Sequence, residues 1–477
     1  MEHRRRTRVL LGLALALGAL VLGHTWDPAS SLAASANRQA GGKPRKAAKV
    51  PPSEVTLTPT LTAAPGVTVT VPPVGLSIEY PVMAQDLGSG ACPPSALAAE
   101  LLRLGSPPLA LAGVSQDMTA PSGARSGSPT SWEAGTLYSL PVAFWGQLHC
   151  LLMTAKDPLT VGLNLRTGNL SWATQMATEA QSAATAGLSF SLGNEPDLYQ
   201  LPNYASLDKP FAGEEAAAAS LYLSLATYLR PAIGSAPVVG PELARPADWR
   251  YELPHVVEQL HEQTVGVHLY PLTACASPRA VTIGGLLSTE AANAPARLAW
   301  VVADARAAGV ASIISEANSA SCGGLAGVSD SPAAAVWAVR FVLSALKTGF
   351  GEVRFHFSGN SYDPFVVRGA EVLTRPLESA LVALNQWLAP GSSLRTVPGV
   401  RGLLATAVGE TGGGVLLILE NERAQARAVV LRHAYRVQTA VLSPARAGLQ
   451  TAILSSRGGR IRLSVPQNSV LAVSTVP

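Results

Sequence analysis

From Gly75 onward the chain alternates apolar runs with alanine-rich stretches. The runs are "GLSIEY", "PLALAG", "LTVGLNL", "GLSFSLG", "PVVGPEL", "TVGVHLY", "ASIISEA" and "EVRFHF". Between them stand "SALAAELLRLG", "SWATQMATEAQSAATAG", "EEAAAASLYLSLATYLR" and "APARLAWVVADARAAG", which read as helices. Apolar runs flanked by helices predict parallel strands buried on both faces. Eight such units predict a (β/α)₈ TIM barrel. An open doubly wound sheet is the alternative, but no glycine-rich phosphate loop follows the first run.

After Trp387 the helical pattern ends. "GLLATAV", "GVLLILEN", "RAVVLR", "VQTAVLS", "LQTAILSS", "RIRLSV" and "SVLAVST" are short strands at close spacing, a C-terminal β-sandwich. Upstream, "EVTLTPTL" and "GVTVTVPP" alternate with the two-residue period of half-buried antiparallel strands, and are expected to complete that sandwich. Residues 37–54, rich in Ala, Gly, Lys and Pro, read as a linker. The division is therefore 1–36 signal peptide or N-terminal anchor, 37–54 linker, 55–74 strands joining the sandwich, 75–386 barrel and 387–477 sandwich.

Composition supports a large core: 48% of residues are apolar and 14% charged. The net charge of +4 comes partly from "HRRRTR" and "KPRKAAK", so the rest is near neutral and carries no nucleic-acid footprint. "MEHRRRTR", the apolar run Val9–Gly23 and "SLAASA" have the order of an export signal. An uncleaved anchor, and hence membrane attachment through this segment, is the other reading. Either puts the folded part outside the cytoplasmic membrane, extracellular or at the cell surface. Cys92, Cys150, Cys275 and Cys322 suit that compartment. They contain no CxxC pair, which argues against structural zinc. Three disulfide pairings are open. Cys275 and Cys322 follow the sixth and seventh runs, and adjacent loops at one barrel face would bring them together.

In a barrel, reacting groups sit at the C-terminal strand ends. Glu195 of "SLGNEPDLYQ" ends the fourth run and Glu316 of "ASIISEANSASCGG" closes the seventh. Two facing carboxylates in an exported protein point to glycoside hydrolysis, one as acid and one as nucleophile or base. Asn194 is placed to bond a sugar hydroxyl and Tyr270 to donate to the nucleophile. Glu79, Asp117, Asn164, His268 and His356 stand at or just after other strand ends and, with Ser321 and Gly323 beyond the seventh, are expected to bind substrate. There is no G-x-S-x-G serine elbow, and the histidines of "HVVEQLHEQ" are not at the i, i+4 spacing of a zinc helix. No metal or cofactor is expected.

The "GNEPD" and "SEANSASCGG…VSD" stretches resemble the acid/base and nucleophile motifs of glycoside hydrolase family 79, which holds β-glucuronidases and heparanase among the clan A retaining enzymes. "GLSIEYP", "VGLNLRTGN", "VHLYPLTAC" and "VRFHFSGNSYDPFVV" resemble its first, third, sixth and eighth strands. The resemblance implies Glu195 as acid/base, Glu316 as nucleophile, Glu79 and Asn194 as glycon ligands and Tyr270 as the residue orienting Glu316. It also implies backbone amides around Gly323 as holders of a uronate carboxylate. The chain departs from the family at Ala110 and Val114, where relatives carry arginine and asparagine, and at Ser321, where they carry tyrosine. The expected activity is a retaining β-glycosidase, β-glucuronidase-like, on a carbohydrate. The alternative classes are a carbohydrate-binding or cell-wall protein with a decayed site.

Overall fold

The computed structural model describes residues 55–57, 66–124, 138–199, 215–260, 264–275, 277–397, 403–410 and 414–475. All belong to one compact unit, Pro52–Pro477. The expected signal or anchor and the linker lie outside the described residues, as do Glu54 and Thr58–Leu61 of the first Val/Thr-rich stretch.

Eight parallel strands close into a barrel in chain order: Val74–Ile78, Leu109–Leu111, Leu159–Leu163, Leu188–Leu192, Val238–Leu243, Thr264–Leu269, Ala311–Ala317 and Val353–Phe357. The eighth pairs with the first in the register Val353↔Val74, which leaves no edge. The apolar runs become barrel strands because helices cover their outer side and the barrel interior covers the other. The third strand is buried at every position. The first stops at Ile78, short of the predicted Tyr80, because a helix starts there (Tyr80–Leu87) with Pro81 in its first turn. Proline suits that position, since its missing N–H would have no helical partner.

Part of the barrel interior is polar and hydrogen-bonded. Ser191 donates to Glu242, and the Gln116 amide donates to the Leu163 and Ser191 carbonyls, both at 3.3 Å. Gly266 is needed here: a Cβ would lie 2.6 Å from the Ser315 hydroxyl and 2.8 Å from Cγ of Glu242.

After the last barrel helix, Pro376–Trp387, the chain forms a two-layer sandwich. The larger sheet has the order Val67–Thr68, Ser393–Thr396, Leu404–Gly409, Val415–Asn421, Ser469–Thr475, Arg436–Ser443, Arg446–Ser455. The smaller has Val55–Leu57, Arg427–Arg432 and Arg460–Val465. Leu417, Leu419, Val429, Leu431, Ile461 and Leu463 fill the space between the layers. Ile418, Leu442 and Val470, on the far side of the larger sheet, join the barrel's own core. Arg340, buried on helix Pro332–Thr348, fastens the halves by donating to the Leu287 carbonyl at 2.7 Å and to Glu422.

Both Val/Thr-rich stretches contribute a strand to the sandwich, but one expectation about them fails. Val67–Thr68 pairs antiparallel with Ser393–Thr396, whereas Val55–Leu57 pairs parallel with Arg427–Arg432. Alternation reports which face is buried; it carries no information on strand direction. The strand Ser393–Thr396 was not foreseen, being four residues with one fully buried position, Leu394.

Two disulfides form, Cys92–Cys150 and Cys275–Cys322, with Cα separations of 5.5 and 5.3 Å. The second joins the loops after strands six and seven, as their adjacency predicts. Disulfides are the chemistry of an oxidising compartment. Among the described residues no helix is long and apolar enough to cross a membrane.

Candidate active site

The "GNEPD" turn leaves the fourth strand under tight constraint. Asn194 donates its backbone N–H to Asp117 at 3.0 Å, and Asp197 accepts from the N–H groups of Ala244 and Arg245 after the fifth strand. Between these anchors Glu195 is left-handed, with φ 50° and ψ 54°. That conformation is uncommon and costly for a residue with a Cβ, and such residues cluster at functional sites. Burial pushes Asp197 up to about 7, against the pull of its backbone donors. Asp117 is likewise raised by burial, to about 6.

Glu316 comes from inside the seventh strand. The Tyr270 hydroxyl donates to its Oε1 at 2.7 Å, and Nδ1 of His356 lies 3.3 Å from Oε2. Nε2 of His356 is 3.3 Å from Oε1 of Glu79. Glu79 in turn accepts from the N–H groups of Val114 (3.2 Å) and Ser115 (2.7 Å). His268 stands between the two candidate carboxylates: its Nδ1 is 2.9 Å from Oε1 of Glu195 and 3.8 Å from Oε1 of Glu316. One oxygen of each glutamate and a ring nitrogen of His268 all fall within 4.8 Å of one another.

Burial alone would strip both imidazoles of their protons. The carboxylates outweigh it: Glu316, Glu195 and Glu242 raise His268 to about 10, and Glu316 and Glu79 raise His356 to about 9. The neighbouring carboxylates thus favour the protonated form of both rings, and Nδ1 of His268 lies within hydrogen-bonding distance of Oε1 of Glu195. Among the described residues, Glu195, His268 and Glu316 are a group whose donor atoms could hold a cation, which would first have to displace the proton from His268.

The candidate residues divide into two groups. Glu79, Glu195, Glu316, His268, His356 and Tyr270 converge on one cluster. Asn194 adjoins Glu195, and its buried Oδ1 has no hydrogen-bond partner, the state of an acceptor held for a ligand. Asp117 and Asn164 do not join them. Asp117 is 1% exposed and spends its oxygens on Asn194, Leu165, Arg166 and Tyr199. Asn164 is fully buried between the Thr119 carbonyl and Thr167. Both fix backbone behind the mouth, so their expected contact with substrate gives way to a scaffolding one. A strand-end polar residue satisfies the backbone turning beside it before it can serve a ligand.

Ser321 and Gly323 lie on the loop after the seventh strand. Ser321 donates to the Thr273 hydroxyl at 2.9 Å, next to the Cys275–Cys322 disulfide. Cys322, Gly323 and Gly324 have φ of 57°, 82° and 73°, three left-handed residues in succession. Gly323 packs on Asn360, where a Cβ would come within 2.9 Å of the side-chain Cγ.

Tyr362 was missed. Its ring centroid lies 6.4 Å from that of Tyr270 and 5.9 Å from that of His356. Burial raises its phenol, and Glu316 and Glu79 add to the effect. The Asn318 amide, which donates to the carbonyls of His356 and Tyr362, holds this eighth loop against the seventh strand. The signal in the sequence was one aromatic residue shortly after a strand-end histidine.

No protein-family model matches the chain, and no curated protein matches it. Solved structures do. A 4-O-α-L-rhamnosyl-β-D-glucuronidase from Fusarium oxysporum 12S is 18% identical, with a TM-score of 0.66 over 88% of this chain and 100% of that one. A GH51 arabinofuranosidase from Xanthomonas axonopodis pv. citri is 13% identical, with a TM-score of 0.63 over 86% and 98%. The catalytic domain of GH30 xylanase C from Talaromyces cellulolyticus is 12% identical, with a TM-score of 0.54 over 88% and 99%. At these identities the likeness is one of fold: the chain shares the overall fold of these glycosidase structures.

Proposed function

We propose that this protein is a retaining glycosidase acting on β-linked glycosides, with Glu316 as nucleophile and Glu195 as acid/base. One observation carries the reading. Carboxylate oxygens of Glu195 and Glu316 approach within 4.8 Å at the strand ends of a barrel. Retaining enzymes hold their carboxyl groups about 5–5.5 Å apart, whereas inverting ones leave about 6.5–9.5 Å for a water. In this scheme Glu316 attacks the anomeric carbon while Glu195 gives a proton to the departing oxygen. Water, deprotonated by Glu195, then releases the sugar from Glu316. The Tyr270 hydroxyl donates to the attacking carboxylate, the His356 ring lies beside it at 3.3 Å, and Asn194 offers its free acceptor to a sugar hydroxyl.

The glycon we assign is a uronic acid, as in family 79. Residues 322–324 have positive φ in succession, a turn conformation of the kind that can present backbone N–H groups to a carboxylate. The fold it shares with a rhamnosyl-glucuronidase is in keeping with this. Nitrophenyl β-uronides, xylosides, arabinosides and glucosides, assayed across pH, test the proposal. We expect hydrolysis of the uronide with retention, seen by NMR of the first-formed sugar anomer. Turnover of a different glycon alone would refute the uronate assignment and keep the mechanism. Inversion would refute the mechanism. No turnover of any glycoside would favour the decayed carbohydrate-binding site.

A further inference from the structure

The end of the smaller sandwich sheet where Arg432 and Arg460 meet, with the turns that adjoin it, carries a feature that hydrolysis does not use. Residues 401–477 contain nine arginines, three glutamates and no lysine or aspartate. Two of the glutamates are committed to the barrel side, Glu422 to Arg340, and Glu420 to Lys347 at 3.8 Å and Arg340 at 4.0 Å. Four of the arginines instead lie where two turns meet. Arg432 and Arg460 are directly opposite each other on neighbouring strands, and both are exposed. Arg436 and Arg457 flank them, also exposed. Among the described residues none of these four pairs with a carboxylate. Like charges in register across a sheet destabilise it, so this placement is a cost to the fold.

The patch is also built. The Ala434 N–H donates to the Gly459 carbonyl at 3.2 Å and the Ser456 N–H to the Tyr435 carbonyl at 2.8 Å, which ties the 433–435 turn to the 456–459 turn. His433 pays for the turn with a φ of 56°. Tyr435 is 63% exposed and lies over Gly459, where a Cβ would sit 3.1 Å from Cζ of its ring. An exposed aromatic ring thus stands on the same pair of turns that these four arginines occupy or border. Guanidinium forks match carboxylate and sulfate oxygens in pairs, and a tyrosine ring offers an apolar face with a polar tip.

We propose that this patch, centred on Arg432, Tyr435 and Arg460, is a docking site for an acidic polysaccharide, its carboxylate or sulfate groups taken by the arginines and a sugar ring by Tyr435. The site lies apart from the barrel mouth and does not depend on the reading of Glu195 and Glu316.

The experiment measures binding of the full chain to polygalacturonate (carboxylates only), heparin (sulfates and carboxylates), neutral dextran and polyphosphate, with salt varied. Hydrolysis of a small aryl glycoside is followed in parallel. Wild type should bind the two acidic polysaccharides, lose them as salt rises, and ignore dextran; preference between the two names the anion. Arg432→Glu should weaken binding about tenfold or more by placing an acid within the cluster. It should leave aryl-glycoside hydrolysis unchanged, and the melting temperature should hold or rise, because the new glutamate faces Arg460. Tyr435→Ala should weaken polysaccharide binding and leave any polyphosphate binding unaltered. The basic stretches near the N-terminus are common to all variants. The proposal is overturned if wild type binds neither acidic polysaccharide, if Arg432→Glu binds as well as wild type, or if Tyr435→Ala has no effect. The last would mark a generic basic surface.

Discussion

Glu316 and Glu195 face each other, yet the chain holds them by different means. Glu316 is the sixth residue of a seven-residue strand, in extended backbone. The Tyr270 hydroxyl, just past strand six, donates to it, the ring of His356 from strand eight lies 3.3 Å away, and the loop beyond is closed by a disulfide. Glu195 lies past the end of its strand, in a strained left-handed turn, with 17% of its side chain exposed against 9% for Glu316. A nucleophile gains from being fixed, since a misplaced attacking atom loses rate steeply. An acid/base must give its proton to the leaving group and take one back from water in every turnover. On the proposed roles the two environments suit those separate tasks, and four measurements can break or sharpen the contrast.

The largest effect belongs to Glu316→Ala. Removing the attacking oxygen should cut kcat by about 10⁵-fold or more on every substrate, dinitrophenyl glycosides included. Retention of activity on the dinitrophenyl compound would exchange the two roles. Glu195→Ala should cost about 10²–10⁴-fold with leaving groups that need a proton. It should cost far less with dinitrophenol, and added azide should restore turnover by capturing the glycosyl intermediate. Equal losses with both kinds of leaving group would make Glu195 structural. Tyr270→Phe removes one hydrogen bond to a charged acceptor, about 1.5–3 kcal/mol. Kinetics should show a drop of about 10–100-fold in kcat with little change in KM. A change confined to KM would place Tyr270 in binding.

The smallest effect is on stability and concerns groups behind the pair. Asp117 and Asp197 are raised to about 6 and 7 from 3.8, so the folded state takes up their protons more readily than the unfolded chain does. Their contribution is greatest below about 4 and is lost as pH rises through 6–7. His268 and His356 are raised from 6.5 to about 10 and 9, so what they add is intact below 6.5 and lost as pH rises through 9–10. Melting temperature should therefore fall in two steps between pH 4 and 10. Asp197→Asn should flatten the lower step only. A melting temperature that rises from pH 4 to 7 would contradict these assignments.

The barrel was legible because both faces of its strands are apolar, so "ASIISEA" coincides with the observed strand Ala311–Ala317. Glu195, Glu316 and Tyr270 were legible because strand ends of a barrel share one rim. What the sequence did not disclose is direction. Asp117 follows a strand end just as Glu79 does, but four hydrogen bonds from Asn194, Leu165, Arg166 and Tyr199 draw it behind the rim. Tyr362 and the parallel pairing of Val55–Leu57 were hidden for the same reason. Each depends on contacts between segments far apart in the chain, which local patterning does not encode.

The pairing of Val55–Leu57 with Arg427–Arg432 bears on how the molecule is assembled. The sandwich draws strands from both sides of the barrel sequence, so the barrel sits within it as an insert. During synthesis Val55–Leu57 and Val67–Thr68 leave the ribosome before any barrel strand, and their partners emerge after all eight. Their pairing waits on the slowest class of contact, that between remote segments. The barrel can close without them. The sandwich is then the last part to complete, and its smaller sheet keeps an open edge until Val55–Leu57 arrives.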